Sequence, residues 1–294
     1  MLCKLLSFDF FYKSKIYWFF VANYRRPNLI GVEHNLINLG FGSEESSIIS
    51  IKESQSHLIR DIHTYWYKTS NYQLLAKQID QFELQDDDAQ IMMSLHDNAS
   101  ILAILHFGHY WESVAKVVKL SSGKVKFVIP ILSLAHEHIR ESILSLKVFC
   151  LDLIVVDISD RRSAIKQITK CINNGYKLII FPDLPPSIGS VFFGSPSYGF
   201  FFNKRASIAS GTLELARLFK LDMTYVSSFP SELGQNQVFF IERVKHVDVS
   251  VDKNFSIIET MIRKNPQHWA YLDRVENYFQ HQLSETELKQ KWNI

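Results

Sequence analysis

The feature that most constrains the fold is a regular alternation of strand and helix patterns that begins at Ser100. Short apolar runs predict six strands: Ile101–Leu105, Val125–Ile129, Leu153–Val156, Leu178–Phe181, Met223–Ser227 and Val238–Val244. Apolar residues at helical spacing predict helices between and after them: Trp111–Leu120, Ala135–Phe149, Arg161–Asn174, Ala206–Phe219, 252–264 and 266–280. This alternation predicts an α/β fold, with a mostly parallel central sheet flanked by helices.

The first hundred residues have helical patterns and no separate core pattern. Gly40-Phe41-Gly42 predicts a turn, Ser43 a helix cap, and residues 44–82 an interrupted helix. Asp86-Asp87-Asp88 predicts the start of another short helix that runs through Leu95. We therefore expect one domain over residues 1–294, with an amino-terminal helical layer on the sheet.

The extreme amino-terminal segment, residues 1–24, is aromatic but interrupted by charge at Lys4, Asp9, Lys13 and Lys15. It lacks the long uncharged apolar run that a membrane-spanning helix needs, and it has no cleavage-site pattern of a signal peptide. Two interpretations remain open. The segment lies in a membrane interface, or it packs on its own domain or a partner chain.

Charge and cysteine content exclude some classes of function. A formal net charge of +2 argues against a nucleic-acid partner, which calls for a strong basic patch. Three cysteines without a CxxC pair argue against a disulfide framework or a zinc site and favour a reducing compartment. His136 and His138 fall on different faces of a predicted helix, so we expect no bound metal.

Candidate chemistry follows the predicted strand Ile101–Leu105, where His106, His109 and Glu112 come in quick succession. The carboxyl end of a strand, beside the start of the next helix, is the usual place for an α/β active site. Imidazole is the default general base near neutral pH, and a nearby carboxylate would orient it. In the alternative interpretation, His106 bonds a backbone carbonyl and Glu112 is only a favourable charge at a helix start.

Five segments in order resemble the lysophospholipid acyltransferase superfamily, and within it the lipid A biosynthesis (lauroyl/myristoyl) acyltransferases. The family's His-x4-Asp/Glu motif is similar to His106-Phe107-Gly108 with Trp111-Glu112. The other four segments are Asn35–Leu39, Phe181-Pro182-Asp183 with Val191–Gly194, Gly211–Leu218, and Pro266–Arg274.

The resemblance implies transfer of a fatty acyl group from an acyl carrier protein or acyl-CoA thioester to a hydroxyl or amine. The acceptor would be a lipid, a glycolipid or a metabolite. The thioester is a co-substrate, so no cofactor is expected. The implied location is cytoplasmic, or peripheral on the inner face of the cell membrane. Two other functions stay open, a non-catalytic acyl- or partner-binding role and a thioesterase-like hydrolase.

The chain departs from the family motif at the acid. Glu112 lies six positions after His106. The family spacing puts the acid five positions after the histidine, and in this chain that position is Trp111. Either an extra residue is looped out and His106 pairs with Glu112, or His109 is the base, one helical turn before Glu112. We favour His106 with Glu112. Near the end, Asp273 stands where the family has a histidine, while Arg274 is retained.

The resemblance also implies roles for residues outside this pair. Asp183 either positions the acceptor or bonds its own turn. Gly108 would let backbone N–H groups approach a developing oxyanion. Lys204-Arg205 would meet a phosphate, or they begin a solvated helix. The remaining expected substrate-binding residues are Trp111, Phe192, Phe193, Gly194 and Arg274, and the phenylalanines either line an acyl tunnel or fill the core.

Overall fold

The structure of the protein is a computed structural model. The described residues are 14–69, 76–77, 79–80, 83–84, 91, 93–94, 96–97, 100–121, 124–132, 146–150, 152–189, 191–230 and 236–279. Several predictions lie outside them: residues 1–13 of the aromatic segment, most of the helices predicted over Asp86–Leu95 and Ala135–Phe149, and the pair His136 and His138.

A mostly parallel sheet forms the centre of the fold. Seven of the described strands build it, in the order β1-β11-β10-β2-β5-β3-β4. The strands are β1 (Glu83–Leu84), β2 (Ser100–Ile104), β3 (Lys126–Ile131), β4 (Leu153–Asp157), β5 (Tyr176–Ile180), β10 (Asp222–Pro230) and β11 (Asn236–Val244). All neighbouring pairs are parallel except β10 with β11, which confirms the predicted α/β class.

Helices cover both faces of the sheet. They are α1 (Lys15–Asn23), α2 (Leu29–Asn38), α3 (Ser43–Thr69), α4 (Tyr110–Leu120), α5 (Arg161–Asn173), α6 (Gly211–Phe219), α7 (Val251–Lys264) and α8 (Glu276–Phe279). Side chains of β2 alternate between two apolar clusters, because successive residues of a strand point to opposite faces. Ile101 and Ala103 join α2, α5, α6 and α7, whereas Leu102 and Ile104 join α4. The strand is therefore buried on both sides.

The amino-terminal helices form the predicted layer and are held to the end of the chain by charge. Arg26, in the turn after α1, donates to Glu53 of α3 at 2.7 Å and to Asp273 at 2.8 Å. Burial raises the pKa of the Glu53 carboxyl, and Arg26 opposes that rise. Asn35 of α2 donates to the backbone oxygen of Leu272 at 3.0 Å. The beginning and the end of the described chain thus pack together.

The prediction of one helix over Ala206–Phe219 is wrong in its first half. Residues Lys204–Ala209 form strand β9, which pairs antiparallel with β8 (Pro196–Phe201). Phe202 and Asn203 both have positive φ, and this tight turn fixes a hairpin before the helix can start. The helix begins only at Gly211. A smaller antiparallel pair, β6 (Ser187–Ile188) with β7 (Val191–Phe192), precedes the hairpin.

The predicted closing helix over 266–280 is also broken. It consists of two 3-10 turns, Pro266–His268 and Leu272–Arg274, followed by the short α8. Between the turns, Trp269 forms an isolated antiparallel bridge with Phe107, so the backbone there is extended rather than helical. Among the described helices, none is both long and apolar enough to cross a bilayer.

Candidate active site

The register of two adjacent parallel strands brings His106 and Asp183 together. β2 and β5 pair with Ala103 opposite Ile180. Three further residues along each chain lead to His106 and Asp183, just past the carboxyl ends of the two strands. Carboxyl ends of parallel strands lie at the same sheet edge, where ligands of open α/β sheets bind. The two side chains therefore meet although 77 positions separate them in sequence.

Asp183 holds His106 by two hydrogen bonds. The ring nitrogen Nδ1 of His106 lies 2.7 Å from Oδ1 of Asp183, and the backbone N–H of His106 donates to Oδ2 at 2.8 Å. Because the carboxylate accepts from Nδ1, the neutral ring carries its proton there and leaves Nε2 as the acceptor. No other described residue is hydrogen-bonded to this ring, and 9% of the side-chain surface is exposed.

Two residues near the end of the chain support Asp183. The indole Nε1 of Trp269 donates to Oδ2 at 3.4 Å, and the Tyr278 hydroxyl donates to the backbone oxygen of Asp183. Burial raises the pKa of Tyr278 well above its usual range, and the charge of Asp183 raises it further, so this hydroxyl keeps its proton. Asp183, Trp269 and Tyr278 are all buried.

Aromatic rings surround the imidazole of His106. The ring centroids of Tyr110, Phe181 and Tyr271 lie 4.5, 4.7 and 5.0 Å from its own. Burial raises the pKa of both phenols, which therefore stay neutral. This environment excludes most water and strengthens the interaction between His106 and Asp183.

The segment 268–270 closes over the strand end. The Ala270 N–H donates to the backbone oxygen of His106 at 2.8 Å, and the Gly108 N–H donates to the backbone oxygen of His268 at 2.8 Å. Gly108 has φ +51°, and a Cβ there would lie 2.4 Å from the backbone oxygen of Ser228. Glycine is thus required by both conformation and space. The N–H of Gly108 is itself bonded to His268, so any donors to an oxyanion at this turn come from neighbouring residues.

The predicted pairing of His106 with Glu112 is wrong in geometry. Glu112 sits in the first turn of α4, and its Oε2 lies 3.9 Å from Nδ1 of His109 instead. That separation is within ion-pair range but too long for a hydrogen bond. The carboxylate within hydrogen-bond distance of His106 comes from the end of β5, a neighbour in space rather than in sequence. No residue needs to be looped out before α4.

An apolar cavity of about 430 Å³ opens next to this pair. It lies between α5 and α6, over the carboxyl ends of β3 and β5. Its walls include Ile165, Ile168, Ile180, Leu184, Leu215 and Leu218. Phe181 is one of the residues that line the cavity, and its ring also contacts the His106 ring. The volume falls in the range of small-molecule pockets.

The expected substrate-binding residues divide between the cavity and other places. Phe193 and Gly194 line the cavity. Trp111 packs on Phe181, with ring centroids 5.7 Å apart. Phe192 lies at the rim, where the Arg161 guanidinium stacks on its ring at 4.7 Å and also donates to Ser195 Oγ at 3.3 Å.

The two predicted phosphate-binding cations, Lys204 and Arg205, do not line the cavity, and neither does Arg274. Lys204 donates to the backbone oxygen of Asn38 at 2.6 Å, and Arg205 stacks on the Tyr198 ring at 5.3 Å. Both are on the hairpin strand β9 rather than at a helix start. Arg274 is half-exposed, with Nε 3.6 Å from Asp273.

Sequence reasoning gave no site role to Phe181, Trp269, Tyr271 or Tyr278. The first three occur in segments that the resemblance singled out, so a high density of aromatic residues was the available signal. Across the described part of the chain, no three His, Cys, Asp or Glu residues are grouped as metal ligands would be.

Neither a protein-family model nor any curated protein matches this chain. What the site can do is therefore decided by its own geometry and chemistry.

Proposed function

We propose that the protein is an acyltransferase that moves a fatty acyl group from an acyl carrier protein or CoA thioester to a hydroxyl or amine. The acceptor is a lipid, a glycolipid or a metabolite. The observation that carries the proposal is the 2.7 Å contact of His106 with Asp183, at a strand end beside an apolar cavity. A base with its partner and an apolar pocket are the two parts that such a transfer needs.

In this reaction His106 is the general base and Asp183 its positioning partner. Nε2 takes the proton of the acceptor as the acceptor's oxygen or nitrogen bonds to the thioester carbonyl carbon. The resulting tetrahedral oxyanion collapses, the carbon–sulfur bond breaks, and the imidazolium returns the proton to the departing thiolate. Asp183 keeps the ring in the correct tautomer and stabilises its transient charge.

The surroundings provide for the rest of the substrate. The acyl chain would occupy the cavity between α5 and α6, ending at Phe181, which contacts His106. Backbone N–H groups in the first turn of α4, at Tyr110 and Trp111, are the helix-start donors that we assign to the oxyanion. A carrier thioester is already activated, so positioning supplies much of the rate.

The family resemblance supports this proposal in a modified form. Resembling segments supply the base His106, its partner Asp183, and the cavity residues Phe193 and Gly194. In the family motif the acid that orients the histidine follows it closely in sequence. In this chain that acid is Asp183, at the end of β5. Cys150 and Cys171 are free thiols, which fits the proposed cytoplasmic location.

A second candidate is an acyl-binding protein without catalysis. The observation in its favour is the enclosure of His106, whose side chain is only 9% exposed between three aromatic rings. An acceptor must reach Nε2 of His106. Catalysis therefore requires the side chain of Tyr110 or Tyr271 to move aside when substrate binds. A binding protein needs no such movement.

The test is mass spectrometry of lipid and metabolite extracts from cells that express the protein, its His106→Ala variant or its His96→Ala variant. His96 is an exposed histidine outside the site, so its variant is the matched control. We expect a species heavier by one acyl chain with the intact protein and with His96→Ala, but not with His106→Ala. Free fatty acid without acylated product would identify a hydrolase. Binding of acyl-CoA by purified protein with no turnover would identify the binding role.

A further inference from the structure

Ile16, Phe19 and Phe20 form the outer face of α1. This apolar surface is exposed to solvent and is not packed inside the described part of the protein. These side chains are 69%, 66% and 65% exposed. They lie on the side of the helix opposite to Tyr17 and Val21, which are buried. Single exposed apolar residues are normal, but three on one helical face mark an interaction site.

α1 is firmly attached to the protein by its other side. Tyr17 and Val21 are buried, and Gln55 of α3 donates to the backbone oxygen of Ala22 at 3.2 Å. Arg26, just after the helix, is paired with two carboxylates in the interior. The fold thus fixes α1 in place without using its outer face among the described residues.

Charge at the two ends of α1 indicates the kind of partner. Lys15 and Arg25 are both exposed, and no acidic residue occurs between Ser14 and Val32. A lysine at a helix amino end opposes the helix dipole, so Lys15 is not there to stabilise the helix. Arg25 donates to the backbone oxygens of Ala22 and Tyr24, at 2.9 and 2.8 Å, which keeps its charge beside the helix end.

We propose that the outer face of α1 docks on the surface of an anionic lipid bilayer. Apolar side chains enter the boundary between headgroups and acyl chains, and Lys15 and Arg25 meet the negative headgroups. The helix lies in the plane of the interface. This inference does not depend on acyl transfer.

The first experiment is co-sedimentation of the full chain with vesicles of phosphatidylcholine, with or without phosphatidylglycerol. We expect strong binding to the anionic vesicles and little to the neutral ones. An Ile16→Ser, Phe19→Ser, Phe20→Ser triple variant should bind about 100-fold more weakly. Removal of Lys15 or Arg25 should each weaken binding about fivefold.

Matched controls separate the possible outcomes. Phe200→Ser with Val247→Ser removes two equally exposed apolar side chains elsewhere, and this variant should bind vesicles normally. The His106→Ala variant should also bind normally, so a failed acyl-transfer proposal would leave this one standing. Absence of binding to anionic vesicles would overturn the inference. Dimerisation in solution that the triple variant abolishes would also overturn it, since a second copy would then cover the face.

Discussion

Two histidine–carboxylate pairs lie within a few residues of each other, and they differ in how the fold makes them. His109 and Glu112 are joined by helical spacing, and their nearest atoms are 3.9 Å apart. His106 and Asp183 are joined by the pairing of β2 with β5, and their atoms are 2.7 Å apart. The pair that is visible in the sequence is the looser one.

The difference between the two pairs shows which contacts hold a carboxylate in position beside its histidine. The pairing of Glu112 with His109 follows from their spacing of three residues at the start of α4. Asp183 is bonded by the backbone of His106, by Trp269 and by Tyr278, which come from two separate parts of the chain. A network of that kind fixes a ring in one tautomer and one direction.

The most direct test of the difference between the two pairs is to neutralise Asp183 and Glu112 separately. We expect Asp183→Asn to lower the rate of acyl-CoA consumption by about 100- to 1000-fold, because the base loses its orienting charge. Glu112→Gln should lower it by less than about fivefold. Both substitutions keep side-chain size, so the ratio of the two effects measures the role of charge.

Circular dichroism melting of both variants checks that each still folds. The opposite ranking, with Glu112→Gln inactive and Asp183→Asn active, would make His109 the base. Equal small effects in two folded proteins would remove the catalytic interpretation of both pairs.

The second prediction concerns Gly108, which separates the two histidines. An alanine there would adopt a left-handed backbone and would push its Cβ against the Ser228 backbone oxygen. We expect Gly108→Ala to lower the free energy of unfolding by about 3 kcal/mol. Gly175 also has positive φ, +78°, but open space around it, so Gly175→Ala should cost about 1 kcal/mol.

Urea unfolding of the two variants measures the difference between them. Equal losses would mean that the strand end can move away from Ser228, and that the close approach does not hold His106 in place.

Much of the fold could be predicted from periodicity, and the site only in part. The strands ending before His106 and Asp183 were both predicted within three residues, and both residues were singled out. Their pairing was missed because strand order is decided by long-range packing, which one sequence does not reveal. The hairpin at Lys204–Ala209 was missed for a local reason. Its two-residue turn, Phe202-Asn203, lacks the usual glycine of such turns.

The third prediction concerns acid stability of the segment that closes over the first pair. Burial, with Arg60 and Lys52, lowers the pKa of His268 to about 4 from an ordinary 6.5. In the unfolded chain His268 therefore becomes protonated below about pH 6.5, whereas in the folded chain it becomes protonated only below about pH 4. The free energy of unfolding should then fall as pH drops through this window.

His268→Gln removes that titration, so its stability should depend on pH less steeply, by about one proton between pH 6.5 and 4. His57, with its pKa lowered to about 3, should still contribute in the variant. Urea unfolding across this pH range gives both slopes. An unchanged slope would show that His268 already takes its proton in the folded protein.

The smallest expected effect tests whether the support of Asp183 matters at all. Trp269→Phe keeps a ring in the core but removes the indole N–H that lies 3.4 Å from Asp183. At that length the bond is weak, so we expect about a threefold loss of rate. The decisive measurement is the same substitution made together with Asp183→Asn. If Trp269 acts through the carboxylate, the threefold loss should vanish in the double variant, because its target is gone. A loss that persists in the double variant would reflect the packing of Trp269 against Phe107 and Phe201. Asp183 would then be held in place by its bonds to His106 and Tyr278 alone.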